Sequence, residues 1–329
     1  MDALAQALAA SPAPFPHSFD VETGTVTLVE MDEAAYRGAS FLDARILSPK
    51  TVSRTEPWSA VEAAAAGLPE NCDFIFHIGH VGSTLLSRLM GAHPAVFALR
   101  EPLALRILAQ MRIDGRGDPG AYLPTLLKLW SRTFRPGQRA VVKATSFASE
   151  IAPDILARPY RPKAIFMFVP AETYLASILA GPNSRQEARL LGAARYVRLS
   201  KRLGKAVAQP ASEGELIAMS WACEMSALSA ADAQDRVLRL DFDRFLADPQ
   251  TMLAACFRHF GIAASDAELR TILAGPDMRT YSKAQEYDYD AKLRHDVLNQ
   301  ARREFGSEIR RGMMWLEPLR NALPGLANS

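Results

Sequence analysis

The sequence predicts an α/β fold of three layers, in which helices flank a mainly parallel sheet on both faces. Short apolar segments that suit buried strands alternate along the chain with longer segments of helical periodicity. Residues 74–90 combine both patterns, because an apolar strand segment is followed by a turn with two glycines and then by a helical face. Strands and helices that alternate in this way are typical of a parallel sheet covered on both sides.

The turn within that segment, residues 79–84, reads Gly-His-Val-Gly-Ser-Thr and predicts a phosphate-binding loop. Such a turn aims successive backbone N–H groups at one point, and the N-terminus of the following helix adds partial positive charge. Glycine suits the turn because a Cβ atom would block a close approach or an unusual φ. A plain strand-to-helix turn is the alternative interpretation. The predicted phosphate-binding residues are Gly79, Val81, Gly82, Ser83, Thr84 and Leu85.

This loop differs from the loop of enzymes that hydrolyse ATP or GTP. Their loop reads GxxxxGK[ST], whereas here Gly82 is followed directly by Ser83 and no lysine precedes the hydroxyl residues. The sequence therefore favours a protein that binds a nucleotide without the usual apparatus for a magnesium-bound triphosphate.

Four more apolar segments predict the remaining strands of the sheet, and helical periodicity fills the intervals between them. These segments are residues 95–100, 140–143, 164–169 and 237–242. Glu101 and Lys143 stand at the carboxyl ends of two of these strands, which is where open α/β sheets bind their ligands.

Residues 1–70 are interpreted as an N-terminal extension packed on a main domain of residues 71–329. Prolines at positions 12, 14 and 16 predict a loose arm over residues 1–20. A short hairpin is expected within residues 21–31, and helical pieces are expected at 41–47 and 58–68.

Composition excludes several classes of function. The net charge of +2 over 329 residues gives no electrostatic case for a nucleic-acid partner. The three cysteines are far apart and lack CxxC spacing, so neither a disulfide framework nor a zinc site is indicated, and no other cluster of metal ligands is visible. No apolar run is long enough to span a membrane, and the first residues do not resemble a signal peptide, so we expect a cytoplasmic protein.

With these pieces placed, the chain resembles the sulfotransferases, P-loop-like enzymes that move a sulfuryl group from 3′-phosphoadenosine 5′-phosphosulfate (PAPS) to an acceptor. The resemblance extends over residues 74–262 and is to a bacterial-type cytosolic member of the family. A weaker match lies at residues 281–283. It rests on the segments FHIGHVGSTLLSRLM, AIFMFVPAETYLASIL and VLRLDFDRFLADPQTMLAACFRHFGI. It implies a P-loop NTPase-like topology and the binding of PAPS and of its product PAP, without a metal ion.

The resemblance also implies a role for particular residues at the nucleotide. The loop would hold the 5′-phosphosulfate, and Ser177 with Lys283 would hold the 3′-phosphate. Val169 stands where the family has an arginine, so Arg185 or another arginine between 185 and 202 is expected to supply that cation. His80 stands where the family's loop has lysine or arginine.

Three residues are the candidates for catalysis. His80 and Lys143 are expected to stabilise the charge that develops on the leaving oxygen, and Glu101 is expected to deprotonate a hydroxyl or amine acceptor. Each has a plainer alternative: a solvent-facing turn histidine, a surface lysine, and a glutamate paired with Arg88 or Arg100. His77, inside the apolar strand, is interpreted as a core histidine.

Two other functions stay open from the sequence. One is a phosphotransferase that uses ATP and Mg²⁺ through an atypical loop. The other is a nucleotide-binding or interaction protein that has lost catalysis along with the cations of the family pattern. The acceptor, whether a small molecule or a peptide, and the oligomeric state are not assigned by the sequence.

Overall fold

A computed structural model describes residues 3–231, 235–280 and 291–320 of the chain. The strands of these ranges are β1 Pro14–Asp20, β2 Thr25–Glu30, β3 Ser53–Pro57, β4 Cys72–His77, β5 Val96–Arg100, β6 Arg139–Lys143, β7 Ala164–Phe168 and β8 Val237–Asp241. The α-helices are α1 Ala3–Ala10, α2 Glu33–Gly38, α3 Trp58–Ala64, α4 Ser83–Gly91, α5 Leu103–Asp114, α6 Pro119–Trp130, α7 Ala152–Leu156, α8 Ala171–Ala180, α9 Pro182–Leu203, α10 Glu213–Ala230, α11 Phe242–Ala247, α12 Pro249–His259, α13 Asp266–Ala274, α14 Ala291–Glu304 and α15 Gly306–Arg320. Short 3₁₀ helices cover Ala44–Ile46, Ser146–Ile151 and Pro276–Met278.

The main sheet has five parallel strands in the order β5-β6-β4-β7-β8. Every residue of the central strand β4 is buried, as a strand covered on both faces must be. Helix α4 packs on β4, β5 and β6, whereas α10 and the 3₁₀ helix at 146–151 also pack on β4. The predicted fold class, a three-layer α/β fold with a mainly parallel sheet and P-loop-like topology, is confirmed.

The strand order places a ligand crevice at the carboxyl end of β4. After β4 the chain first builds β5 and β6 on one side of it and then β7 and β8 on the other. Open α/β sheets bind ligands where the strand order reverses in this way. The glycine-bearing turn at 79–84 follows β4 and therefore lies at this point.

The N-terminal residues are more regular than the sequence predicted. They form α1 and a separate antiparallel sheet of order β1-β2-β3, in which Gly24 occupies the turn with a φ of 62°. The expectation of a loose arm over residues 1–20 was wrong. Pro14 and Pro16 lie in β1, which is an edge strand with only β2 beside it, and an edge strand tolerates residues that lack an N–H donor. The 41–47 segment forms only the short 3₁₀ helix, while α3 lies within the predicted helical piece at 58–68.

Arg132, which follows α6, joins this N-terminal part to that helix. Its guanidinium donates hydrogen bonds to the backbone carbonyls of Leu8, Ser11 and Pro14 at distances of 3.3, 2.9 and 2.7 Å. A further hydrogen bond of 2.9 Å reaches the carbonyl of Leu129 in α6. Because Arg132 is only 8% exposed, no water can replace these bonds without opening the structure.

No helix in the described ranges is long and apolar enough to cross a membrane. The three cysteines, which lie in β4, α10 and α12, are buried as free thiols.

We predict that Arg132→Met lowers the free energy of unfolding by about 3 kcal/mol, because it leaves buried carbonyl groups without a donor. Urea unfolding followed by circular dichroism measures this change. Arg135→Met is the matched control, since Arg135 is half exposed and its ion pair with Glu33 is of the surface kind that contributes less than about 1 kcal/mol. Equal losses in the two variants would contradict the anchoring role of Arg132.

Candidate functional site

A cavity of about 710 Å³ opens at the carboxyl edge of the sheet. Its wall brings together the loop after β4, the residue after β5, residues that follow β6, the end of α8, the start of α11 and the start of α14. The sequence-predicted residues on this wall are Gly79, His80, Val81, Gly82, Ser83, Thr84, Leu85, Glu101 and Ser177.

The loop between β4 and α4 has the backbone of a phosphate cradle. Gly79, His80 and Gly82 have φ values of 86°, 56° and 67°, so the chain reverses within four residues. Alternation of such left-handed residues with ordinary ones turns successive N–H groups to the concave side. Gly82 is the N-cap of α4 and offers no side chain to its first turn. The free N–H groups of this turn are therefore available to an anion.

Gly82 is also required by its neighbour across the cavity. A Cβ atom at this position would lie 2.1 Å from the ring of Phe242, the first residue of α11. The aromatic ring thus packs directly against the loop backbone. The loop is held between α4 and the residue that follows β8.

His77, the last residue of β4, fixes the start of the loop. Its Nδ1 accepts a hydrogen bond of 2.9 Å from the backbone N–H of Gly79. Because Nδ1 is an acceptor, Nε2 carries the proton and donates to the carbonyl of Ala144 at 2.8 Å. His77 is buried at 6% exposure, which agrees with its interpretation as a core histidine, and it ties the loop to the end of β6.

His80 lies on the cavity wall with its side chain 20% exposed. Its Nε2 lies 3.6 Å from a carboxylate oxygen of Glu187, and its Nδ1 lies 3.5 Å from the hydroxyl of Ser184. Both partners belong to α9. Glu187 and Ser184 thus hold the imidazole ring from the side of α9.

Glu101 and Lys143 form a buried ion pair at the carboxyl ends of β5 and β6. Lys143 Nζ also donates to the hydroxyl of Thr84 at 3.2 Å, and the hydroxyl of Thr145 donates to the second oxygen of Glu101 at 3.0 Å. Neither arginine considered as a partner of Glu101 is used, since Arg88 bonds Ser40 and Arg100 caps α2. The carboxylate therefore faces the cavity in a fixed position.

Lys143 itself does not reach the cavity. Its side chain is fully buried, behind Thr84 and Glu101. The alternative of a plain surface lysine is excluded. Its Nζ contacts the base candidate and the first turn of α4, and so it links these two parts of the site.

The α9 arginines expected at the 3′-phosphate are engaged elsewhere. Arg185 lies outside the cavity wall and pairs with Glu213 at 3.0 Å. The later arginines of α9 are held in a buried network with two glutamates; its members are Arg195, Arg198, Arg202, Glu150 and Glu224. Val169 is buried and its carbonyl accepts from Trp221. Lys283 lies outside the described residues.

Arg294, on the first turn of α14, is a cation of the cavity wall that the sequence reading missed. It pairs with Asp243 at 2.6 Å and lies over the ring of Phe242 at 5.2 Å. Although Arg294 is only 9% exposed, its Nη2 is buried and has no hydrogen-bond partner among the described residues. A buried guanidinium nitrogen without a partner is costly, and an anionic ligand that reached it would remove that cost. The charged segment around it gave no periodic signal that singles it out.

The wall next to Glu101 also comes from residues that the sequence analysis left without a function. Phe41 and Arg45 belong to the N-terminal part and Arg106 belongs to α5. Asp43 lies between the two arginines. Hydrogen bonds from Arg45 lower the pKa of Asp43 below its usual range, and Asp43 in turn raises the pKa of Arg45.

On the far side of the cavity, burial raises the pKa of Asp241, the last residue of β8 and the N-cap of α11.

Within the described ranges, no group of three or more His, Cys, Asp or Glu side chains is arranged to hold a metal ion.

No protein-family model and no curated protein matches the chain. Among solved structures, a sulfotransferase from Mycobacterium tuberculosis H37Rv is 15% identical, with a TM-score of 0.43, over 76% of this chain and 81% of that chain. A mouse sulfotransferase complexed with PAP is 15% identical, with a TM-score of 0.41, over 81% of this chain and 92% of that chain. The sulfotransferase domain of the curacin biosynthetic pathway is 14% identical, with a TM-score of 0.40, over 73% of this chain and 99% of that chain. At such values, function must be inferred from the site itself.

We predict that Gly82→Ala lowers the free energy of unfolding by roughly 2 to 4 kcal/mol, because left-handed strain adds to a clash with Phe242. Gly115→Ala is the control, since Gly115 has nearly the same φ, 65°, and open space around it. It should cost about 1 kcal/mol from strain alone. Thermal or urea unfolding of both variants decides the matter. Equal costs would show that Phe242 is not packed firmly on the loop.

Proposed function

We propose that the protein transfers a sulfuryl group from PAPS to a hydroxyl or amine acceptor. The observation that carries this proposal is the convergence of a lysine-free, glycine-bearing loop, an arginine and a fixed carboxylate on one cavity. The loop and the arginine suit the two phosphate-bearing ends of the nucleotide. The carboxylate suits the removal of a proton from the acceptor.

The cavity has the size and polarity that the nucleotide needs. Its volume of about 710 Å³ is well within the range of 300–1,000 Å³ that is usual for ligand and cofactor sites. The N–H groups of the loop and of the first turn of α4 hold the 5′-phosphosulfate. Ser177, at the end of α8, and Arg294 hold the 3′-phosphate, so that Arg294 takes the place of the cation missing at Val169.

The order of strands separates the donor from the acceptor. Ser177 follows β7, and Phe242 and Arg294 lie beyond β8, on one side of the central loop. Glu101 follows β5, at the other edge of the sheet. Since neighbouring strands are about 4.8 Å apart, β5 and β8 are separated by roughly 19 Å. The nucleotide therefore lies toward β8 and the acceptor toward β5, with the loop between them.

PAPS supplies a sulfuryl group bonded to a good leaving group, the 5′-phosphate. Glu101, which its ion pair with Lys143 holds in place, accepts the proton of the acceptor. His80 donates a hydrogen bond to the oxygen that becomes negative.

Lys143 acts through its neighbours instead of through the leaving oxygen. It lies behind the wall and binds both Glu101 and Thr84. We propose that it is a positioning residue, which keeps the base at a fixed distance from the loop that holds the donor.

We predict that PAP and PAPS raise the melting temperature of the protein and that ATP with Mg²⁺ does not. At about 100-fold excess over Kd, a ligand that binds only the folded state stabilises it by about 2.7 kcal/mol. Arg294→Met should weaken PAP binding at least tenfold, because it removes a charge-assisted contact. Arg303→Met, an exposed position on the same helix, is the control and should bind PAP normally.

Three results of that thermal-shift experiment would lead elsewhere. Stabilisation by ATP with Mg²⁺ alone would identify a phosphotransferase. No stabilisation by any nucleotide at high micromolar concentration would indicate a protein that binds none of them, and the proposal would be withdrawn. A normal PAP affinity in Arg294→Met would remove Arg294 from the 3′-phosphate site and leave the rest intact.

We predict that Glu101→Gln lowers turnover by about 10² to 10⁴ while PAP still binds. This change also leaves Lys143 buried without its counter-charge, which destabilises the fold by itself. The double variant Glu101→Gln/Lys143→Met removes both charges. It should regain stability and stay inactive if Glu101 is the base. If the double variant recovers activity along with stability, Glu101 has only a structural role.

A further inference from the structure

The wall of the cavity beside Glu101 is built by the N-terminal part of the chain. The N–H of Leu42 donates to the carbonyl of Arg100 at 2.7 Å, and the N–H of Leu103 donates to the carbonyl of Leu42 at 3.0 Å. These two bonds bracket Glu101. Residues 41–45 are therefore fixed beside the candidate base, on the side of the cavity that the nucleotide leaves free.

This wall carries an excess of positive charge. Asp43 accepts from Arg45 Nε at 2.8 Å and Arg45 Nη2 at 2.5 Å, and it lies 3.3 Å from Arg106 Nη1. One carboxylate thus serves two guanidinium groups. The charge of the adjacent Glu101 also acts on Arg45, but Glu101 is paired with the buried Lys143 as well, so two carboxylates face three cations.

Of the other acids of the cavity wall, Glu187 is the neighbour of His80, and the charge of Asp277 acts on Arg88 and Arg100. Among the described residues, Arg106 gives Asp43 one long contact, so most of its five donors are available to another partner. The excess positive charge is therefore directed to whatever occupies the cavity next to Glu101.

Aromatic rings lie beside the two guanidinium groups. Arg45 lies 3.5 Å above the centre of the Phe41 ring, and Arg106 lies 5.9 Å from the centre of the Phe147 ring. A planar cation in contact with a ring, as Arg45 is, loses little further freedom when it binds an anion. The wall is thus partly preorganised for an anionic group.

We propose that this wall is the acceptor subsite and that it takes a hydroxyl compound bearing an anionic group, such as a carboxylate. This inference rests on the proposed sulfuryl transfer and adds the class of acceptor. The anionic group binds Arg106, with Arg45 beside it, and this contact brings the hydroxyl group of the acceptor to Glu101.

Three phenols of nearly equal size test the charge preference: 4-hydroxyphenylacetate, which is anionic, tyrosol, which is neutral, and tyramine, which is cationic. With PAPS as donor, we expect kcat/KM to be at least tenfold higher for the anion than for tyrosol, and lowest for tyramine. Arg106→Met should reduce the ratio of anion to tyrosol about tenfold, because one charge-assisted contact is lost. Arg112→Met, on the same helix but paired with Asp154 at its surface, should leave the ratio as it is.

Calorimetry of the PAP-loaded protein with 4-hydroxyphenylacetate gives a second readout that needs no turnover. Binding that weakens in Arg106→Met supports the subsite. An equal use of the three phenols, an equal loss for anion and tyrosol in Arg106→Met, or no binding of the anion at millimolar concentration would overturn it. PAP stabilises the protein in each of these cases if sulfuryl transfer is right, so failure of the subsite is distinguishable from failure of the proposed function.

Discussion

The site depends on the buried ion pair between Glu101 and Lys143. Three elements meet in it, because Glu101 follows β5, Lys143 ends β6, and Thr84 in the first turn of α4 accepts from the same lysine. A buried pair of this kind is weak evidence for stability, since well-packed apolar residues often do as well. What it provides is position. The candidate base cannot move relative to the phosphate loop without leaving a charge unpaired.

The backbone around Glu101 supports the same conclusion. Its φ of 51° is one that residues other than glycine rarely adopt, and it persists only where neighbouring contacts hold it. The N–H of Glu101 donates to the carbonyl of Lys143 at 2.7 Å, and the N-terminal segment pairs on both sides of it. The ordered N-terminal part thus holds the strained backbone of Glu101, and this backbone conformation turns the carboxylate into the cavity.

Much of the fold was predictable because its signals are local. Apolar runs such as 74–78 and 164–169 are buried in the sheet, and the pair Asp248 and Pro249 begins α12 as N-cap and first residue. The loop was predictable because its glycines are a local signal in the sequence. At position 82 the glycine is required sterically, since a Cβ atom there would clash with Phe242. The arm at 1–20 was mispredicted because the prolines signalled disorder, whereas their tolerance in β1 depends on an edge position that no local pattern reveals.

The site was predictable only in part, since its cations are distributed by tertiary contacts. The α9 arginines had the spacing of one helix face, yet Glu150, Glu213 and Glu224 engage them from other elements. The cavity receives arginines from distant parts of the chain, namely Arg45, Arg106 and Arg294. No local pattern in their segments distinguishes these arginines from others. The sequence placed Lys143 correctly at the end of a strand but did not reveal that its side chain is buried. Burial behind Thr84 depends on tertiary packing, which no local pattern encodes.

The order of the strands explains how one cavity can serve two ligands. In the proposed reaction, the loop after the central strand takes the part that they share, the group to be transferred. The edge toward β8 offers an aromatic ring and a buried guanidinium, and the edge toward β5 offers a carboxylate beside two arginines. Because these edges are built by different parts of the chain, the N-terminal wall can change without disturbing the loop. Under the proposed function, acceptor choice is therefore separable from donor binding, and residues 41–45 are the place where it is set.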